Sequence, residues 1–126
     1  MTILADTTVW VDHWRRGNRA LARQLAAGRV LVHPFVIGEL SLGALHPRAP
    51  VLENLRPLHC ARLAEPEEVD GLVERRRLLG RGIGWVDVHL LASALLEPCR
   101  LWTLDRRLAL AAEHLGVAWS PARPRS

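Results

Sequence analysis

Lysine is missing from this chain of 126 residues: all 17 of its basic side chains are Arg. Chemistry that depends on an active-site ammonium is thereby excluded. Cysteine is scarce. Cys60 and Cys99 stand alone, with no CxxC or Cys/His pattern around them, which argues against zinc and leaves them as buried free thiols. Long apolar runs are also missing. The longest, Trp85 to Leu96, contains Asp87 and His89 and falls short of the ~20 residues a spanning helix needs. No basic region precedes the short run Ile3 to Ala5, which Asp6 interrupts, so no secretory leader is expected. A cytoplasmic location and no membrane partner are the expectation. No GxSxG elbow is found, which removes the hydrolase triad built on it.

What is present suits one compact domain. Apolar residues make up 49% of the chain. A chain of this length buries roughly two-thirds of its unfolded surface, enough for a core without staples. The net charge is +4. Arg binds phosphate bidentately and stacks on bases, but an Arg-only composition also follows from GC-rich coding, so charge alone names no partner.

The pattern predicts short apolar strands alternating with helices. Thr2 to Ala5 reads as a strand ending at Asp6. Thr7 or Thr8 can cap a helix to about Trp14, and Asn18 a second over Arg19 to Ala27. Val30 to Val32 reads as a strand, and Pro34 opens a helix to about Leu45. Pro47 and Pro50 bracket a loop, and residues 53–64 are ambiguous between a short helix and a turn. Pro66 to Leu79 is a helix with acids early and arginines late, matching the helix dipole. Trp85 to Leu96 and Asp105 to Leu115 are helices; Leu101 to Leu104 and Val117 to Trp119 are strands. Such alternation implies a three-layer α/β/α fold with a short, mainly parallel sheet. One domain is expected over residues 1–120, with a flexible Pro/Arg tail over 121–126. Ligands of parallel sheets bind at the carboxyl ends of the strands.

Four of the 13 acidic residues stand apart. Asp6 and Asp105 each directly follow a strand, at the edge where a ligand crevice forms, although Asp is also a favoured helix cap. Glu39 lies in Phe35-Val36-Ile37-Gly38-Glu39-Leu40-Ser41-Leu42, where few other polar groups accompany it; a carboxylate on an apolar face is costly unless paired or bound to a cation. Asp87 is followed by Leu90, Leu91 and Ala94 at i+3, i+4 and i+7, which gives it an inward-facing helix position. Several carboxylates in one crevice repel each other without metal. With Mg²⁺ or Mn²⁺, which favour oxygen ligands, they can position water for attack on a phosphodiester.

At this point the chain resembles a known family. Leu4-Ala5-Asp6-Thr7-Thr8-Val9-Trp10, Ile37-Gly38-Glu39-Leu40, Trp85 through Ala94 and Leu101-Trp102-Thr103-Leu104-Asp105-Arg106-Arg107-Leu108 are similar, in order and spacing, to the motifs of PIN-domain ribonucleases of the VapC toxin type. The resemblance implies an Mg²⁺- or Mn²⁺-dependent endoribonuclease, with Asp6, Glu39, Asp87 and Asp105 as catalytic metal-binding residues. It implies that Thr7 and Thr103 support the acidic cluster by hydrogen bonding. It also implies a homodimer, RNA as substrate, and a cognate VapB-like antitoxin that covers a groove and reaches the acidic site. His89 departs from many relatives.

Other features have two readings each. Arg76, Arg77 and Arg81, with Arg75, are either a phosphate-binding rim for RNA or a solvated helix end. Gly80-Arg81-Gly82-Ile83-Gly84 follows a helix, not a strand, so the dinucleotide fingerprint fails and a flexible connection is expected. Trp10 is expected in the core and Trp14, beside Arg15 and Arg16, at an interface. Phosphotransfer receivers and haloacid-dehalogenase-like phosphatases have similar folds but need a Lys that this chain does not have. The remaining alternative is a catalytically inactive PIN-like interaction module.

Overall fold

The computed structural model describes residues 1–121. The elements in order are β1 (Ile3–Ala5), α1 (Thr7–Arg16), α2 (Arg19–Ala26), β2 (Val30–Leu31), α3 (Pro34–Leu42), α4 (Arg48–Leu55), α5 (Pro66–Arg75), α6 (Trp85–Leu96), β3 (Arg100–Trp102) and α7 (Arg106–His114). The three strands form a parallel sheet in the order β2-β1-β3, and helices cover it in a three-layer α/β/α arrangement. β1 is central and fully apolar, with Ile3, Leu4 and Ala5 at 0–2% exposure. A strand buried on both faces must read this way. Its side chains join Leu31, Val36, Leu91, Leu101 and Leu108 in one contiguous core.

Register then places the first polar residues. Ala5 pairs with Trp102, so the next residues, Asp6 and Thr103, emerge side by side at the carboxyl edge of the sheet. Leu4 pairs with Leu31, which brings Val32 and His33 to the same edge before α3 begins.

Several boundaries differ from the sequence expectation. α1 is capped by Asp6, not by Thr7 or Thr8: the Asp6 carboxylate accepts from the Val9 N–H at 3.3 Å. The expected loop at Pro47 and Pro50 is largely helix α4, with Pro50 in its first turn, where no intrahelical N–H is required. α3 stops at Leu42 because Gly43 is extended. α5 stops at Arg75 and not Leu79. Arg77 takes a left-handed φ of 54°, and the chain folds back to bury Leu78. Val117 to Trp119 makes a single bridge, Leu101 to Ala118, and a matching bridge joins Val32 to Cys60 on the other edge. That position leaves Cys60 exposed, against expectation, while Cys99 is buried with its thiol pushed up to about 12 by burial. Of the expected tail, residues 122–126 lie outside the described residues.

Candidate active site

The carboxyl edge carries a hydrogen-bonded network centred on Asp6, which is only 4% exposed. Thr8 Oγ1 donates to Asp6 Oδ1 and Thr103 Oγ1 donates to Asp6 Oδ2. The direction is determined from outside. Leu104 N–H donates to Thr8 Oγ1 at 2.8 Å, and Asp105 N–H donates to Thr103 Oγ1 at 3.0 Å. Each hydroxyl, already an acceptor from a backbone amide, turns its single proton toward Asp6. The expected support from Thr7 comes instead from Thr8. The Asp6 carboxylate turns into the first turn of α1 to cap it, which brings it to the second helical residue and not the first. Thr7 points into an adjacent groove. Thr103 hydrogen-bonds Asp6 directly.

Burial raises the Asp6 pKa above the ordinary carboxylate value, and it outweighs the opposing hydrogen bonds from Thr103, Thr8 and Val9. Glu39 is the second member. It projects from α3, and its pKa is raised first by burial of the carboxyl group and then by the charges of Asp87 and Asp6. The charges of Asp87 and Asp6 thus act on Glu39 in the same sense as its burial. Asp87 sits in the first turn of α6, where one oxygen, Oδ2, accepts from Gly84 N–H at 3.0 Å. Asp105 does not enter the repulsion on Glu39. It caps α7 through Oδ1, accepting from Arg107 and Leu108, and is joined to Asp6 through Thr103.

The donor set is all oxygen and fits a hard divalent cation. Among the described residues no three His, Cys, Asp or Glu side chains close on one point as they would around a bare ion. A hydrated divalent ion that meets one or two carboxylates at a time asks for no such closed cage. The residues able to meet one are Glu39, whose carboxylate makes no hydrogen bond among the described residues, and Asp87 and Asp105, each with one oxygen outside its cap, with Asp6 buried behind Thr103.

Two grooves border the crevice. One, of about 460 Å³, is lined by Thr7, Val11, Trp14, Arg15, Glu39 and Leu40, among others. The other, of about 410 Å³, is lined by Thr7, Thr8, Val11, Asp12, Arg15 and Leu104, among others. Arg15 lines both. It makes no ion pair among the described residues, whereas Arg16 is paired with Asp12 at 2.6 Å. Thr8 and Arg15 were missed in the sequence; their recurrence with Val11 at i, i+3 and i+7 on one helix face was the available signal. Trp10 is buried as expected, and Trp14 is half-buried in the groove wall, in edge contact with His46. Arg76, Arg77 and Arg81 are exposed in the connection from α5 to α6. The Arg76 carbonyl meets His114 at the far end of α7, about 13 Å of helix away from Asp105. His89 is buried and in ring contact with Phe35 and Trp85.

The PIN-domain family model matches residues 3–114 of this chain. The chain belongs to the PIN-domain family and is of its VapC type. It is 45% identical over 117 residues to "Ribonuclease VapC32" of Mycobacterium tuberculosis, in both strain CDC 1551 / Oshkosh and strain H37Rv, covering 92% of this chain and 94% of the relative. The fold is similar to that in the crystal structure of PAE2754 from Pyrobaculum aerophilum, with a TM-score of 0.61 at 14% identity over 88% of this chain and 79% of that one. No helix among the described residues is long and apolar enough to cross a membrane.

Proposed function

We propose that this protein is the toxin of a toxin–antitoxin pair and acts as an endoribonuclease that hydrolyses RNA phosphodiester bonds with Mg²⁺ or Mn²⁺. The observation that carries the reading is the network at the sheet edge, where Thr8 and Thr103 donate to the two oxygens of buried Asp6 and Thr103 links it to Asp105. It is supported by the relative named as a ribonuclease over nearly the full length of both chains. Asp6, Glu39, Asp87 and Asp105 are the catalytic and metal-binding residues. The cation, when bound, neutralises the clustered charge, polarises the scissile phosphate and makes a water more acidic.

The remaining roles belong to the chain itself. Thr8 and Thr103 hold Asp6 as an acceptor and fix its orientation, and they transmit the position of the Leu104–Asp105 loop to it. Glu39 and Asp87 supply the opposite side of the crevice. Arg15 stands at the mouth as a free cation for a backbone phosphate, and Arg76, Arg77 and Arg81 lie further along the RNA path. The groove lined by Val11, Trp14 and Leu40, with Glu39 in its wall, suits a VapB-like antitoxin segment that ends in the acidic site. A homodimer working in the cytoplasm completes the reading.

The test is cleavage of bacterial RNA by the antitoxin-free protein in Mn²⁺ or Mg²⁺, beside samples with EDTA or with Asp6→Asn. Discrete cuts that vanish in both controls are expected. Cutting that persists in EDTA removes the metal from the reading, and no cutting together with a melting temperature indifferent to Mn²⁺ favours an interaction module.

A further inference from the structure

A row of four rings links the two helices that carry Glu39 and Asp87. His33 and Phe35, at the start of α3, have ring centroids 5.0 Å apart. Phe35 meets His89 of α6 at 4.9 Å, and His89 meets Trp85, one turn earlier on α6, at 5.0 Å. The histidines are the inner members, at 1% and 6% exposure, whereas Phe35 is 42% exposed and Trp85 51%. The inner end is held by ring contact more than by hydrogen bonding. His33 Nδ1 accepts from Phe35 N–H, and its Nε2 is buried without a partner. The contacts of His89 with both outer rings are edge-on, at 69° and 82° between planes. An edge contact of this kind fixes a ring without stacking over it.

The position of the row is as telling as its composition. Phe35 is four residues before Glu39 on the same side of α3, a Cβ separation of about 5–6 Å in a helix. Trp85 opens the helix whose first turn holds Asp87. Phe35 therefore borders Glu39, and His89 carries the row on to Trp85 at the opening of α6, while the two grooves and Arg15 lie on the α1 side. Isolated exposed aromatics are ordinary; two braced by one buried ring at the lip of a phosphodiester site match the way unpaired bases are recognised, by stacking on a fixed π face.

Resting on the ribonuclease reading, we propose that Phe35 and Trp85 form a base-stacking shelf, oriented by His89, that seats an unpaired base adjoining the scissile phosphate. A base still stacked inside a duplex cannot offer its face to the shelf.

The experiment uses a short RNA containing a mapped cleavage site, intact or with the base removed from the nucleotide on either side of the cut in turn. It is assayed with wild-type protein, Trp85→Ala, Trp85→Phe and Phe35→Leu. Trp85→Ala is expected to raise KM about tenfold with kcat within about twofold, and Trp85→Phe to restore most of the loss. One abasic substrate should raise the wild-type KM by a similar factor and leave that of Trp85→Ala unchanged, because the same contact is lost only once. Losses from the abasic site and from Trp85→Ala that multiply overturn the shelf, as does wild-type behaviour of every variant. Sedimentation in parallel covers the other occupant: if Trp85→Ala turns a dimer into a monomer while the abasic substrate is cut normally, the rings belong to a second copy of the chain. The abasic arm needs no mutation, so it decides even if a variant folds poorly. A wild-type protein that cuts no RNA overturns the ribonuclease reading itself and the shelf with it.

Discussion

The crevice has two unlike walls. On the β1/β3 wall, Asp6 is buried and both of its oxygens receive a hydroxyl proton, each hydroxyl being anchored by a backbone amide. On the α3/α6 wall, the Glu39 carboxylate makes no hydrogen bond among the described residues, and its pKa is raised by burial first and then by the charges of Asp87 and Asp6. The first wall is pre-organised by strands that pair in register; the second is held by helix packing and ring contacts. The contrast separates two tasks. In the proposed function, position comes from the wall whose hydrogen bonds are complete, and the pull on a cation from the wall whose charge is left uncompensated. Even Asp6, with all its donors, has a raised pKa because burial outweighs them. Hydrogen bonding alone does not finish this site.

Breaking the ordered wall should have the largest effect. Asp6→Asn is expected to lower kcat by roughly a thousandfold, as removal of a key charged group at a reacting centre does, and to abolish the gain in melting temperature with Mn²⁺. Single-turnover cleavage and thermal melts read both. Thr103→Val should come next, at about 10–100-fold in activity, the range for a residue that orients a metal ligand. It also leaves the Asp105 N–H without its acceptor, costing about 1–3 kcal/mol of stability if that amide stays shielded from water. Thr8→Val should behave like Thr103→Val, while Thr7→Val should leave Asp6 untouched; equal losses at Thr7 and Thr8 would erase the assignment drawn from the network.

The open wall responds in the opposite sense. Glu39→Gln removes a repelled charge, so at neutral pH the metal-free variant should melt higher than wild type. Because the Glu39 pKa is raised on folding, its ionisation costs stability as pH rises through the folded value. The advantage of the variant should therefore shrink as pH falls toward the ordinary carboxylate range. A difference between the two melts that stays constant with pH would count against the coupling. At the mouth, Arg15→Glu should raise KM and reduce the salt slope of RNA binding by about one, more than Arg76→Glu or Arg77→Glu does. The smallest effect tests the inner end of the ring row. Burial, then the His89 charge, depresses the His33 pKa from 6.5 to about 4, so the unfolded chain takes up the proton first. Stability should fall on the order of 2 kcal/mol as pH drops from 6.5 to about 4, a slope that His33→Asn should flatten in urea titrations.

Much of this was legible from local pattern. The apolar run ending at Asp6, the apolar run before Asp105 and the inward spacing of Asp87 each mark a carboxylate at an element boundary. Boundaries were less legible where tertiary burial decided them, as where Leu78 turns back into the core and ends α5 early, or where Pro50 enters the first turn of α4. The direction of side chains was least legible. Thr7 and Thr8 differ by one helical step, and only the capping geometry of Asp6 selects Thr8.

The sequence by itself determined the alternation of strands and helices, the apolar centre of the sheet and the identity of the acidic residues. These follow from periodicity and from the cost of placing a carboxylate in an apolar stretch, both of which are local properties. Only the tertiary structure decided that Asp105 joins Asp6 through Thr103, that Arg15 and Glu39 line one groove while the Arg76 carbonyl meets His114, and that Phe35, His89 and Trp85 form a single row. Those relations depend on strand register and helix packing between residues tens of positions apart, and such distances have no local signature.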